Sequence, residues 1–147
     1  MSMNLQISDI GHVIQLSIAP VFLLTGVATK LTVLMNRLGR IIDRTRVLRE
    51  ALRKGPDPEC HEELNVLYQR WKLINYALTA STGCGLLICV IISCLFFGDV
   101  TSLPLDQVIA GMFVLAMVAL ILSFSFLLRE VSVSFRYMRM HMHEASA

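Results

Sequence analysis

Charged side chains are missing from three long stretches of this chain, Ile10 to Thr29, Leu73 to Gly98 and Gln107 to Leu128. Only 16% of all residues are charged and 55% are apolar, a balance outside the range of soluble domains. Each stretch exceeds the roughly 18 residues that separate membrane-spanning helices from buried core helices. The sequence therefore predicts an all-helical integral membrane protein, a single membrane domain with three transmembrane helices. We place these spans at about 10–30, 73–97 and 107–128.

The chain also lacks the motifs of common catalytic and binding sites. It has no glycine-rich phosphate loop, no nucleophile elbow and no paired-cysteine zinc pattern. Its cysteines occur at intervals that fit no metal site, so we interpret them as small packing residues. Met138 to His143 alternates methionine with basic residues, but His141 and His143 diverge on a helix and cannot share a metal. We therefore expect no enzymatic activity, no cofactor, no metal site and no nucleic-acid partner.

The basic residues are distributed unevenly. All thirteen Lys and Arg lie between Lys30 and Lys72 or after Leu128. The acids nearest the other ends of the spans stand alone: Asp9, Asp99 and Asp106. By the positive-inside rule, this asymmetry predicts an N-terminus outside the cell and a short cytoplasmic tail at 129–147. No basic residue precedes the first uncharged stretch, so we expect that stretch to be retained and not cleaved as a signal peptide.

Beyond the first span the helical pattern continues into a charged segment. Apolar residues recur at alternating three- and four-residue steps from Leu31 to Leu52, and again from Cys60 to Leu78, which is the spacing of a coiled-coil seam. The sequence Gly55-Pro56-Asp57-Pro58 between them predicts a helix end and a restart, with Asp57 as the N-cap. We therefore predict a long cytoplasmic antiparallel helical hairpin over 31–72, which joins the first and second spans.

The first span has one polar face. At about 100° per residue, its small and polar side chains fall in one sector, with threonines beside it. If this face lines a pathway, the lining residues are Ser8, His12, Gln15, Thr25, Gly26, Thr29 and Lys30.

A cluster of basic residues follows this face. Lys30 and five others have only Asp43 as an acid among them, which leaves five positive charges uncompensated. Apart from Lys30, the basic residues of this cluster form either a cationic vestibule or a site for anionic lipid headgroups: Arg37, Arg40, Arg44, Arg70 and Lys72.

The stretch from Ile14 to Arg46 contains IQLSIAPVFLLTGV and then NRLGRIIDRTR. It resembles a bacterial family of small multi-pass membrane proteins catalogued as domain of unknown function 2721. The three-span layout extends the likeness over most of the chain. The resemblance implies a bacterial inner-membrane location, and it implies no reaction, substrate or functional residue.

Two functions fit these features. Three helices cannot enclose a pore alone, so a homo-oligomer that turns the polar face of the first span toward its own copies would be an anion-favouring ion channel. Alternatively, that face packs within the protomer, and the protein is a membrane-anchored interaction or scaffold protein whose basic hairpin binds anionic lipid or a protein partner. A passive transporter subunit is a third reading, although the chain lacks the internal symmetry that it would need.

Overall fold

Three long α-helices make up the part of the chain that the computed structural model describes, residues 2–101 and 106–144. They are α1 (Ser2–Lys54), α2 (Pro58–Thr101) and α3 (Asp106–Glu144). Side chains are described for residues 11, 12, 14–98, 106–137 and 139. Each helix contains a segment long and apolar enough to cross a membrane, and the described ranges contain no strand. The predicted class, an all-helical protein with three helices able to span a membrane, is confirmed.

A short connection, residues 55–57, joins α1 to α2. Pro58 is the first residue of α2, where its fixed φ suits the helix and its missing N–H would have had no partner. The Asp57 carboxylate accepts a hydrogen bond from the backbone N–H of Glu59 at 3.0 Å. Asp57 is therefore the N-cap that the sequence predicts.

The helices form two compact units, and each helix contributes a segment to both. Unit 1 consists of Met1–Leu31 and Ala80–Ile121. Unit 2 consists of Thr32–Thr79 and Leu122–Ala147.

Unit 1 has a core of small and aliphatic side chains from all three helices. A Cβ added at Gly85 of α2 would lie 3.5 Å from a Val27 methyl group of α1 and 3.8 Å from one of Leu24. These are ordinary van der Waals distances, so Gly85 packs against α1 of the same chain at a position that alanine would also fit. The buried core residues are Val27, Cys84, Ile88, Ile91 and Ala116.

Unit 2 is built around apolar positions of the predicted seams. α3 packs Phe126 and Leu127 against this core, and the Ser123 hydroxyl donates a buried hydrogen bond of 2.6 Å to the Ala77 carbonyl of α2. Trp71 also belongs to the seam predicted for α2, but its side chain is 37% exposed. Its ring stacks on that of Tyr68, with the ring centroids 5.7 Å apart. The buried core residues are Leu34, Ile41, Leu48, Leu67, Ile74 and Ala77.

Replacing Leu34 by alanine should lower the free energy of unfolding by about 2–5 kcal/mol, because it removes buried methyl groups and leaves a cavity. The matched control is Met35→Ala at the next position of α1, where the side chain is 56% exposed and Leu34 is 0% exposed. That change should stay within about 0.5 kcal/mol. Unfolding of both variants in the same detergent, followed by circular dichroism, measures the difference. Equal losses at the two positions would contradict this packing.

Candidate functional site

A buried glutamate of α3 lies between one arginine of α1 and one of α2. Glu130 is 0% exposed, and its Oε2 accepts a hydrogen bond from Nη1 of Arg37 at 2.7 Å. Its Oε1 accepts a bond of 2.9 Å from Nε of Arg70 and lies 2.9 Å from Nη2 of the same side chain. Both carboxylate oxygens are therefore satisfied, as a charge removed from water requires. This ion pair joins all three helices within unit 2.

The two arginines keep partial contact with solvent. The Arg37 side chain is 39% exposed and that of Arg70 is 24% exposed. Two positive charges against one negative leave the trio with a charge of +1, and partial exposure keeps the desolvation cost of that excess charge low.

Glu130 belongs to a regular series on α3. Ala116, Ser123 and Glu130 are all 0% exposed and follow one another at seven-residue steps, so they lie along one face of the helix. Glu130 was not among the residues predicted from the sequence, because only charges before the third span were counted. The signal was present: Glu130 is the only acid between Asp106 and Glu144, and it continues a series of small residues.

A second ion pair joins α1 to α2 in unit 2. Arg44 donates from Nε to Oε1 of Glu63 at 2.7 Å and from Nη2 to Oε2 at 2.9 Å. Hydrogen bonding to Glu63 raises the pKa of the Arg44 guanidinium above its ordinary value. The side chains are 54% and 22% exposed, so this pair contributes less to stability than the buried one.

These pairs correct the predicted count of uncompensated charges. Arg37 and Arg70 are bound by Glu130, and Arg44 is bound by Glu63. Both acids were left out of the sequence count. Glu130 lies 93 and 60 positions from its two arginines, and Glu63 lies 19 positions from Arg44 on the next helix, so none of these pairs can be identified by inspection of one segment. Three of the five residues expected in an open vestibule therefore hold unit 2 together.

The other two expected vestibule residues have different surroundings. The Lys72 Nζ lies 4.6 Å from the centre of the Tyr68 ring, a cation–π contact. Arg40 is exposed and lines a cavity of about 170 Å³ together with Arg44, Arg70 and other side chains of unit 2.

The predicted pathway residues of α1 do not share one environment. Lys30 is 6% exposed and belongs to the packed side of the helix, which corrects its place in the lining. It follows the buried Val27 by three residues, so at about 100° per residue it lies roughly 60° from the packed seam. The Ser8 side chain lies outside the described residues. The remaining five predicted residues are exposed on the protomer: His12, Gln15, Thr25, Gly26 and Thr29.

The two threonines of this set form hydrogen bonds within their own helix. The Thr25 hydroxyl donates to the Val21 carbonyl at 3.2 Å, and the Thr29 hydroxyl donates to the Thr25 carbonyl at 3.0 Å. These hydroxyls can therefore face lipid without a further partner.

A groove of about 780 Å³ lies between α1 and α2 in unit 2. The buried Ile41 and Leu67 are part of its apolar lining. Its α1 wall carries Arg46, Arg49, Glu50 and Arg53, and its α2 wall carries Asn65, Tyr68 and Trp71. This groove was not predicted from the sequence, although its arginines are spaced three and four residues apart.

Replacing Glu130 by glutamine should lower the free energy of unfolding by about 3 kcal/mol, because two guanidinium groups then lose the charge that neutralises them. That value is the low end for a buried pair, since both arginines retain some exposure. The matched control Glu63→Gln breaks the exposed pair with Arg44 and should cost at most about 1 kcal/mol. Unfolding of both variants in one detergent provides the measurement. Equal effects of the two changes would show that Glu130 is no more important than a surface acid.

Comparison with known protein families supports the family resemblance seen in the sequence. A family model described as protein of unknown function (DUF2721) matches residues 17–140, which include Arg37, Arg70 and Glu130. No curated protein and no solved structure matches the chain. Because the family model covers well over half of its length, the chain belongs to the DUF2721 family.

Proposed function

We propose that this protein is a membrane-anchored interaction protein of the bacterial inner membrane, whose charged helical hairpin and tail bind a protein partner in the cytoplasm. The distribution of Lys and Arg supports this orientation, with the N-terminus outside. The observation that carries the proposal is that some arginines of unit 2 are paired with acids and others are exposed. Arg37, Arg44 and Arg70 are bound to acids of the same unit, whereas the groove presents further arginines to solvent.

Distance along α1 favours a protein partner over lipid for the groove arginines. At about 1.5 Å per residue, Arg37 lies roughly 12 Å along the helix beyond Thr29, the last uncharged residue of the first span. Arg46 lies roughly 25 Å beyond Thr29, and Arg53 roughly 36 Å. The polar layer on each side of a bilayer is only about 5–8 Å thick. The headgroup layer therefore ends before the level of Arg37, and the groove arginines lie well beyond it even on a tilted helix.

A homo-oligomeric pore lined by the first helix is the second candidate function. It is supported by the exposure of His12 and Gln15, since polar side chains on the outside of a membrane helix are hidden most easily against another copy. It is weakened by Lys30, Arg37 and Arg44, which are buried or paired and cannot form the successive cationic rings of an anion channel.

Purified protein in a planar bilayer should give no conductance at any voltage if the protein is an interaction protein. Gln15→Glu is the variant that distinguishes the two candidates, because Gln15 is exposed and a charge there would alter the ion selectivity of a pore lined by the first helix. A current whose selectivity changes in this variant would overturn the proposal in favour of the pore. The mass of the detergent complex then gives the number of copies.

Occupation of the groove should protect Asn65→Cys from a membrane-impermeant maleimide in inside-out vesicles of native membranes, whose cytoplasmic face is turned to the medium, compared with purified protein. Asn65 is exposed and lines the groove. The control is Arg136→Cys, an exposed position on α3 that does not line the groove and lies eight residues from the third span, as Asn65 lies eight residues from the second. Both variants should carry Cys60→Ser, because Cys60 is the native cysteine outside the spans. We expect at least a severalfold slower reaction at position 65 in membranes and equal rates at position 136. Equal rates at both positions would remove the interaction proposal.

A further inference from the structure

We propose that the groove of unit 2 binds an acidic amphipathic helix of a partner protein. This inference rests on the proposed function and names the chemical class of the partner. Three properties of the groove support it: the spacing of its charges, its partly uncovered apolar lining, and its length.

The basic wall of the groove has the spacing of a helix face. Arg46, Arg49 and Arg53 follow one another at steps of three and four residues, so their guanidinium groups are presented about one turn apart. Glu50 is the only acid among the lining residues, so three positive charges against one negative give the groove a charge of +2. A partner helix with carboxylates at i, i+3 and i+7 has the same rise per turn. It can therefore pair with all three arginines in one register.

The apolar lining of the groove is only partly covered. Ile42 is 45% exposed, Tyr68 is 56% exposed and Trp71 is 37% exposed. Tyrosine, tryptophan and arginine are the residues that most often dominate the energetics of protein interfaces. Beside the basic wall, these side chains form an apolar surface that the apolar face of an amphipathic helix would cover.

The length of the groove excludes compact ligands. Ile41 and Arg53 both line it, and at about 1.5 Å per residue they lie roughly 18 Å apart along α1. That distance corresponds to roughly three turns of a bound helix. A lipid headgroup would fill only one end, and the groove arginines extend beyond the headgroup layer of the membrane.

The chain carries its own reporter for the test, because Trp71 is its single tryptophan and lines the groove. The probe is a synthetic helical peptide of about 18 residues, roughly 27 Å long, without tyrosine or tryptophan. It has leucines on one face and glutamates at i, i+3 and i+7. The full chain is placed in nanodiscs of zwitterionic lipid, and Trp71 emission is recorded during titration. We expect a saturable blue shift that weakens as salt is added.

Three comparisons make the result specific. A peptide with glutamine in place of every glutamate should bind at least about tenfold more weakly, a difference of about 1.4 kcal/mol. The double variant Arg49→Glu, Arg53→Glu should weaken binding of the acidic peptide by a similar factor. The double variant Arg49→Gln, Arg53→Gln should weaken it by a smaller factor. The control Arg136→Glu changes an exposed arginine of α3 outside the groove and should bind as the parent does. Circular dichroism confirms that the variants fold.

Four results would overturn this inference. They are no response to the acidic peptide, equal binding of the two peptides, an emission shift produced by anionic lipid vesicles alone, or a shift that depends on protein concentration without peptide. The last would assign the groove to a second copy of the chain. If Asn65→Cys is protected in native membranes and the acidic peptide does not bind, the interaction function stands and the helix class is wrong. If neither is seen, both proposals fail.

Discussion

The burial of the Glu130 carboxylate is the constraint on which unit 2 depends. A carboxylate that is 0% exposed must be matched by opposite charge, and Arg37 and Arg70 provide that charge from two different helices. A shift of α3 by one residue would turn the carboxylate about 100° away from both guanidinium groups. The apolar contacts of Phe126 and Leu127 do not discriminate in this way, because hydrophobic attraction has no preferred direction. Glu130 therefore fixes the register of α3 in unit 2.

This constraint also decides which basic residues are available for binding. Arg37, Arg44 and Arg70 use their charge on acids of the same unit, so an acidic partner that contacts them would compete with Glu130 or Glu63. The groove arginines point to a different surface, formed by α1 and α2 alone. Positive charge in unit 2 thus has two roles. Near Glu130 it holds the helices together, and in the groove it lies on an exposed surface, where we propose that it binds an acidic partner.

The coarse architecture was predictable, because long uncharged stretches and leucine spacing are properties of single segments. The seams placed Leu34, Ile41 and Leu48 correctly, and the turn sequence placed the Asp57 cap. The ion pairs were not predictable, since they join residues far apart in sequence and depend on the rotation of each helix. Lys30 illustrates the limit: a helical wheel assigns it to a polar sector, yet that sector borders the packed seam and the side chain is 6% exposed. The groove was missed for the same reason, because two helices define it together.

The two candidate functions give different explanations for the polar side chains of the first helix. Thr25 and Thr29 look like pathway residues in the sequence, but each hydroxyl is satisfied by a carbonyl of its own helix and needs no water-filled passage. Once these two are set aside and Lys30 is assigned to the packed side, His12 and Gln15 are the described polar side chains that favour a pore. Both lie within the first turns of the uncharged stretch, where the aqueous interface is close. A side chain that reaches this interface requires no second copy to hide it, so the polar face of the first helix is compatible with a membrane anchor.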